Sequence, residues 1–572
     1  MQVRLTHQHR WRLLLGMLAA GTALQAGFAR PSFAQEFQTT TPIRHVVVIF
    51  QENHSFDNYF GTYPTALNLA GEPPFTPFAA TPTVNGLSGN QPTSSVLDPG
   101  NVGGLFTSNQ NAVAPFRLDR VNAVTCDQDH GYTDEQQAVD AGLLDHFALA
   151  SGSGGTSATG VGCQTASGAN IPGFAMGYYD GNTVTALWNY AQHYAMSDNS
   201  FGTQFGPSTP GAINLITGQT HGAVPGPSNT SNLSPGALLP DGSGHFTLIN
   251  DVDSGLDDCG SPTANVAFTD PAFSQTNVGD LLNAQGITWG WFGGGFTPTV
   301  AATGMARAVC GATTTLHLAA PLPPGATSAQ VNTPKADYNA HHSPFQYYSS
   351  TVNPHHLPPT STAAIGFTDQ ANHQYDLSMF FTALAAGNLP AVSYLKAINA
   401  DDGHPGAESD PLSEQVFIVN TINAIQQSPF WEDTAIIIAY DDSDGWYDHV
   451  TGPIVNASSS SADAFTAAGG CGTPAKGAFP GRCGYGPRLP LLVISPWSKQ
   501  NYVDHNVTDQ TSILLFIEQN WNLGFIDGPT APPKGQASFD RIAGQLNGLF
   551  DFDERPHPET VILNPSTGLL VP

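Results

Sequence analysis

Two apolar runs, each discharging acids at its end, constrain this chain more than any other feature. Val46 to Phe50 is unbroken by polar residues and is followed at once by Gln51, Glu52, Asn53 and His54. Thr434 to Tyr440 (TAIIIAY) is followed by Asp441, Asp442, Asp444 and Asp448. Apolar runs without polar alternation are the pattern of strands buried on both faces of a parallel sheet. Ligands of such sheets bind beyond the carboxyl ends of the strands. Glu52, Asn53, Asp441 and Asp442 therefore stand where hard oxygen donors for a metal ion are wanted. Adjacent carboxylates repel unless something positive lies beside them, which points to a cation.

The rest of the chain sets the context. Arg4, Arg10 and Arg12 precede the apolar stretch Leu13 to Ala20, and Ser32-Phe33-Ala34 offers a small-residue cleavage site, so residues 1–34 read as a secretory signal peptide. Arg10 and Arg12 are separated by Trp11, which favours general secretion over the twin-arginine route. The formal charge is -28 over 572 residues, and losing the leader removes four arginines and no acid. A surface this acidic repels nucleic acid and anionic bilayers, so a phosphate-bearing substrate has to be drawn by a local positive site. Cys126, Cys163, Cys259, Cys310, Cys471 and Cys483 show no C-x-x-C spacing. In an exported protein they read as disulfides, with sequential pairing (126–163, 259–310, 471–483) closing three long loops. Gly71 to Gly104, Ser151 to Gly173, Gly222 to Gly244 and Pro321 to Pro334 are rich in Gly, Pro and small polar residues and read as loops.

Between the loops, helices are expected over Thr133 to Phe147, with Thr133 or Asp134 at its N-cap, Thr183 to Met196, Glu414 to Gln427 and Thr508 to Trp521. Asp280 to Phe292 reads as helix, Gly286 stop and strand. Strands are expected over Ala391 to Ile398 and Leu489 to Ser495. Strand and helix alternate with no linker that separates a second core, so residues 35–572 read as one domain with a mostly parallel sheet between helices. In Phe205-Gly206-Pro207-Ser208-Thr209-Pro210, Pro210 suits the first turn of a helix. That places Ser208 or Thr209 at a helix N-terminus, where free N–H groups favour an anion. Taken alone, either is an ordinary cap. His130, the adjacent His341 and His342, and His404 beyond the strand at 391–398 are the imidazoles beside these segments. His355 and His356, between prolines, read as surface.

Glu52 to Gly61, ENHSFDNYFG, resembles the opening signature of a secreted bacterial phosphoesterase family. That family contains phosphatidylcholine-type phospholipases C and a respiratory-burst-inhibiting acid phosphatase. Lys335 to His342, KADYNAHH, is similar to the acid phosphatase branch. Asp441 to His449, DDSDGWYDH, follows the family's D-E-x-G-G-x-x-D-H with Asp442 for Glu and Asp444 for the first Gly. The resemblance covers most of residues 43–525. It implies an α/β/α fold of the alkaline phosphatase-like type. It also implies one divalent cation on Glu52, Asn53, Ser208, Asp441 and Asp442, with calcium, magnesium or manganese favoured and zinc open. Aligning the prolines of the family's G-P-T-x-P-N-R puts Ser208 on the nucleophile, with Thr209 the alternative. His130, His341, His342 and His404 would face the phosphate.

The implied activity is that of an acid phosphatase acting on small-molecule phosphate monoesters. Phospholipase C activity on membrane lipid is the second reading, and a calcium-binding adhesion protein the third. The larger phospholipases append C-terminal β domains, and nothing after Trp521 is long enough to be one. Histidines with an ordinary pKa of about 6.5 would lose their charge above neutrality, which leads to an acidic rate optimum.

Overall fold

The first apolar run becomes β1, His45–Gln51, buried at six of its seven residues. The computed structural model describes residues 38–571 apart from 88–110, 112–113, 152–172, 227–235, 270–275, 317–333, 407–408, 466–469 and 558. The expected leader at 1–34, Cys163 and the loop over 321–333 lie outside the described residues. Phe37–Pro572 make up one unit by their internal contacts.

With β2 (Ala195–Ser197), β3 (Trp289–Gly293), β4 (Gln374–Asp376), β5 (Val392–Lys396), β6 (Thr434–Tyr440), β7 (Leu491–Ile494) and β8 (Tyr502–Asp504), β1 forms an eight-stranded sheet in the order β4-β3-β5-β1-β6-β7-β2-β8. Every neighbouring pair is parallel except where β7 runs against β6 and β2. The eight helices used below are α1 (Phe56–Phe60), α2 (Tyr132–Val139), α3 (Thr185–His193), α4 (Ser208–Thr217), α5 (Val278–Gln285), α6 (Leu377–Ala386), α7 (Pro411–Gln426) and α8 (Thr511–Trp521).

Successive strand residues point to opposite faces. Val47 and Ile49 of β1 enter one core with Trp188 of α3, Phe380 of α6 and Ile418 and Ile422 of α7. Val46, Val48 and Phe50 enter another with Ile213 of α4, Leu282 of α5 and Ile513 and Ile517 of α8. Helices therefore cover both faces, giving three α/β/α layers. Among the described residues, no helix is long and apolar enough to cross a membrane.

Tertiary pairing trims several expected elements. α2 stops at Val139, because Asp140 (φ 41°) and Ala141 (φ 54°) turn left-handed, and its N-cap is Gly131 without a side-chain cap. The expected helix to Met196 ends at His193. Ala195–Ser197 is drawn into the sheet as β2, where pairing with β7 and β8 outweighs local preference. α8 begins at Thr511 because Thr508–Asp509 is extended and pairs with Ser200–Phe201. Cys259–Cys310 and Cys471–Cys483 are joined as expected, and Cys126 is also disulfide-bonded.

One buried ion cluster ties the acid-bearing loops together. Arg488 has no exposed surface. Its Nη2 meets Asp57 Oδ1 at 3.0 Å and its Nε meets Asp448 Oδ1 at 2.8 Å, while Nη1 donates to the carbonyls of Asn85 and Asp198, both at 2.8 Å. Asp57 lies on α1, just after Glu52, and Asp448 follows Asp441 and Asp442, so the guanidinium holds both loops in place. Removing one partner of a buried ion pair costs about 3–5 kcal/mol because the other charge is left uncompensated. Arg488→Met should lower unfolding stability by that amount in urea denaturation. A loss below about 1 kcal/mol, the value of a surface pair, would show that the cluster is not a clamp.

Candidate active site

Strand register decides what meets at the edge of the sheet. Gln51 pairs with Tyr440 across β1 and β6, so the next residues, Glu52 and Asp441, leave the sheet side by side. On the other flank β5 ends level with β1, Ile49 opposite Leu395, which brings in Lys396. The Lys396 ammonium bonds Glu52 Oε1 and lies 3.6 Å from Asp441 Oδ2. Lys396 was not among the residues the sequence singled out. A lysine closing an apolar strand was the available signal, but it reads equally as a side chain leaving for water.

α4 supplies the hydroxyl. Pro207 caps it, Ser208 is its first residue, and Ser208 Oγ donates to Asp442 Oδ2 at 3.0 Å and Glu52 Oε2 at 3.3 Å. Thr209 is occupied elsewhere: its N–H and its Oγ1 both donate to Asp251 Oδ1, at 2.9 and 2.8 Å. The helix comes close enough because residue 211 is glycine. A Cβ there would lie 2.2 Å from the Asp441 carbonyl oxygen. Glu135 joins the two loops from below, accepting the Gly206 N–H at 2.8 Å and the Ser443 hydroxyl at 2.5 Å.

The imidazoles surround this point. His342 Nδ1 lies 2.8 Å from Glu52 Oε1. His341 and His342 occupy a 3-10 turn, Ala340–His342, whose cap Asn339 accepts the His341 N–H at 3.3 Å and brings its Nδ2 within 3.2 and 3.1 Å of the two Nε2 atoms. That turn is the irregular backbone two adjacent histidines need in order to face one site. His130 Nε2 is 3.5 Å from Asn53 Nδ2, and the His404 ring lies 6.4 Å from the His130 ring. Glu52, Ser208, Asp442 and His342 thus meet directly, Asp441 joins through Lys396 and His341 through Asn339, while Asn53, His130 and His404 form a group beginning at the residue after Glu52. His356, read from the sequence as surface, is buried. Its Nε2 lies 2.7 Å from Asp257 Oδ1, and Asp257 Oδ2 accepts the hydroxyl of Tyr338 at 2.5 Å, three residues before His341.

The electrostatics are uneven. Burial works against the charge of Glu52, but the N–H of His342 and the Lys396 ammonium hold its carboxyl well below the usual range. Burial and the neighbouring Glu52 push Asp441 well above it, and burial lifts Asp442 to about 6 against the pull of His130. Burial lowers His342 to about 3, with Lys396 adding to the effect, so it is a neutral imidazole. Burial also opposes charge on His341, yet Asp251 and Asp253 outweigh it and hold that ring up at about 9. His130 rises well above its ordinary value in the same way, with burial overcome by Asp442 and Asp444. His130, His341 and His342 therefore do not share the ordinary value from which an acidic optimum was expected.

The donor set fits a cation. Glu52, His342 and Asp441 each offer a ligand atom within 4.8 Å of the others, and all three are buried. Asn53 Oδ1 is buried with no hydrogen-bond partner. Oxygen donors dominate, which suits calcium, magnesium or manganese, while the neutral His342 keeps zinc open.

The family model described as Phosphoesterase family matches residues 43–524. The chain belongs to the Phosphoesterase family. The chain is 32% identical over 173 residues to the non-hemolytic phospholipase C of Burkholderia pseudomallei, covering 29% of this chain and 23% of that protein. With phospholipase C A of Mycobacterium tuberculosis it shares 24% identity over 526 residues, 90% of this chain and 79% of the relative. The chain thus spans about a quarter of the length of the first relative and four fifths of the second. An alkaline phosphatase superfamily protein from Vibrio parahaemolyticus matches at 14% identity over 60% of this chain and 64% of that one. Its TM-score of 0.24 adds nothing to the sheet described above.

The close approach of α4 to Asp441 generates a test. In Gly211→Ala the added methyl has no room against the Asp441 carbonyl, so α4 shifts and Ser208 leaves the acids. A displacement of about 1 Å at reacting groups costs roughly 100-fold in rate. kcat/KM for phosphate-ester hydrolysis should fall by that order with an unchanged circular dichroism spectrum, whereas near-normal activity would show that the approach is not needed.

Proposed function

We propose that this phosphoesterase hydrolyses phosphate esters through attack by Ser208. The observation that carries the proposal is the Ser208 hydroxyl at a helix N-terminus, donating to acids from two adjacent strand ends. When bound by Glu52, Asn53, Ser208, Asp441 and Asp442, a divalent cation would supply charge that favours the alkoxide and draws a phosphoryl oxygen. Ser208 Oγ passes its proton to Asp442 Oδ2 and forms a bond to phosphorus as the ester P–O bond breaks, and the N-terminus of α4 stabilises the developing negative charge. His130 and His341, held in their charged form, bind the remaining oxygens. A protonated ring, His130, His341 or His404, gives the leaving alcohol its proton, while His342 stays neutral. Water then hydrolyses the phosphoserine.

For the substrate, the phospholipase C names of the relatives favour a phosphodiester of the phosphatidylcholine type. The second reading, a monoester and hence a phosphatase, is favoured by two cationic rings suited to a dianion and by the KADYNAHH segment. The acids converge on one point and do not form repeated loops, so nothing supports the adhesion reading. We further propose an exported protein, with residues 1–34 as leader and 35–572 as one catalytic domain. The disulfides support an oxidising compartment.

Comparing turnover of p-nitrophenylphosphorylcholine with that of p-nitrophenyl phosphate separates the two substrates. Ser208→Ala should abolish turnover of whichever is used, together with any phosphoenzyme, while Thr209→Ala should be mild. The reverse pattern would place the nucleophile at residue 209. Because His341 is held above its ordinary value, its charge and the affinity it lends are present at lower pH and are lost as pH rises through about 9. Asp253→Asn removes one of the carboxylates that raise it. In the variant, KM should begin to climb at lower pH, toward the ordinary histidine value of about 6.5. Superimposable KM profiles for variant and wild type would show that His341 charge does not govern binding.

A further inference from the structure

Asp444 stands in a conformation that an aspartate adopts at a cost. Its φ is 52°, in the left-handed region that favours glycine, and its side chain is fully buried beside the reacting groups. Backbone strain kept at such a place is a pointer to a role. Its contacts run in both directions. The Asp444 N–H donates to Asp442 Oδ1 at 2.7 Å, and Asp442 Oδ2 in turn accepts from Ser208. Asp444 Oδ2 accepts the Gln128 N–H at 3.2 Å. Its Oδ1, buried without a hydrogen-bond partner, is aimed at His130 Nδ1 at 3.4 Å.

Asp127, His130 and Asp444 also offer three atoms within 4.8 Å, the spacing of a metal site. However, His130 Nδ1 spends its proton on the carbonyl of Gln128 at 2.8 Å and has no lone pair to give a cation. The carboxylate is better matched to the loop itself. We infer that Asp444 is a positioning residue that fastens the loop carrying His130 to the loop carrying Asp442, so that the imidazole and the Ser208 hydroxyl keep one fixed separation. The inference rests on the phosphoester reading above. It implies that the strain is retained for substrate affinity and does not serve the fold.

The test uses Asp444→Gly, which removes the carboxylate and relieves the backbone, and Asp444→Asn, which tolerates the left-handed conformation and keeps an acceptor. In the glycine variant the melting temperature should stay level or rise. KM for p-nitrophenyl phosphate and the inhibition constant of inorganic phosphate should rise about tenfold, with kcat within about threefold, because the loop no longer holds His130 in register. The asparagine variant should lie within about threefold of wild type on each measure. Hydrogen exchange at the Gln128 amide, read by mass spectrometry, should quicken in Asp444→Gly. A melting temperature that falls in step with activity would make Asp444 merely structural and overturn the inference, as would unchanged KM and phosphate inhibition. If the wild type turns over neither ester, the functional reading fails first, and Gln128 exchange alone decides whether Asp444 fastens the loop: unchanged exchange overturns it.

Discussion

Acids buried side by side at the ends of two neighbouring parallel strands are the constraint on which the rest of this structure depends. Pairing Gln51 with Tyr440 leaves Glu52 and Asp441 no choice but to emerge together, and Asp442 follows. Two like charges about 4 Å apart at an effective dielectric constant of 20 repel by about 4 kcal/mol. Burial first, with the charge of Glu52 adding to it, pushes Asp441 and Asp442 up. Lys396 answers part of it, but one ammonium shared between Glu52 and Asp441 leaves Asp442 facing Ser208. The buried, unpartnered Asn53 Oδ1 and the neutral His342 are the donors a second positive charge would use.

Much of the surrounding architecture maintains that crowding. Arg488 joins Asp57 to Asp448 and so ties the loop after β1 to the loop after β6. Glu135 links the loop before α4 to Ser443, and Gly211 lets α4 settle against the Asp441 carbonyl. His356, Asp257 and Tyr338 hold the turn of His341 and His342 from the other side. Apart from the room left by Gly211, each support is a buried polar contact. Such networks are costly when half-satisfied, so the site and its supports stand or fall together.

The strands and their acids were legible in the sequence because unbroken β-branched runs have few other readings, and an acid just after such a run lands at the edge of the sheet. The helix start at Ser208 was legible from Pro210, whereas nothing nearby signals that Asp251, 42 residues away, engages Thr209. What stayed hidden depended on register and on distant partners. Lys396 becomes part of the site only once β5 is known to lie beside β1. His356 looked like surface because its flanking prolines suggest a loop, whereas Asp257, 99 residues earlier, draws it inside. Met196 left its helix for the same kind of reason: an unfilled place in the sheet outweighed a local preference.

The central claim is that the carboxylates are arranged for a cation and are not fully balanced by Lys396. Calorimetric titration of chelator-treated protein with calcium, magnesium, manganese and zinc, with melting temperature followed in parallel, tests it most directly. The account predicts about one equivalent of at least one of these ions bound per chain and a rise in melting temperature that grows with ion concentration. Both effects should be lost in Glu52→Gln. No binding, or binding that survives Glu52→Gln unchanged, would contradict it and leave Lys396 as the charge on which the site is built.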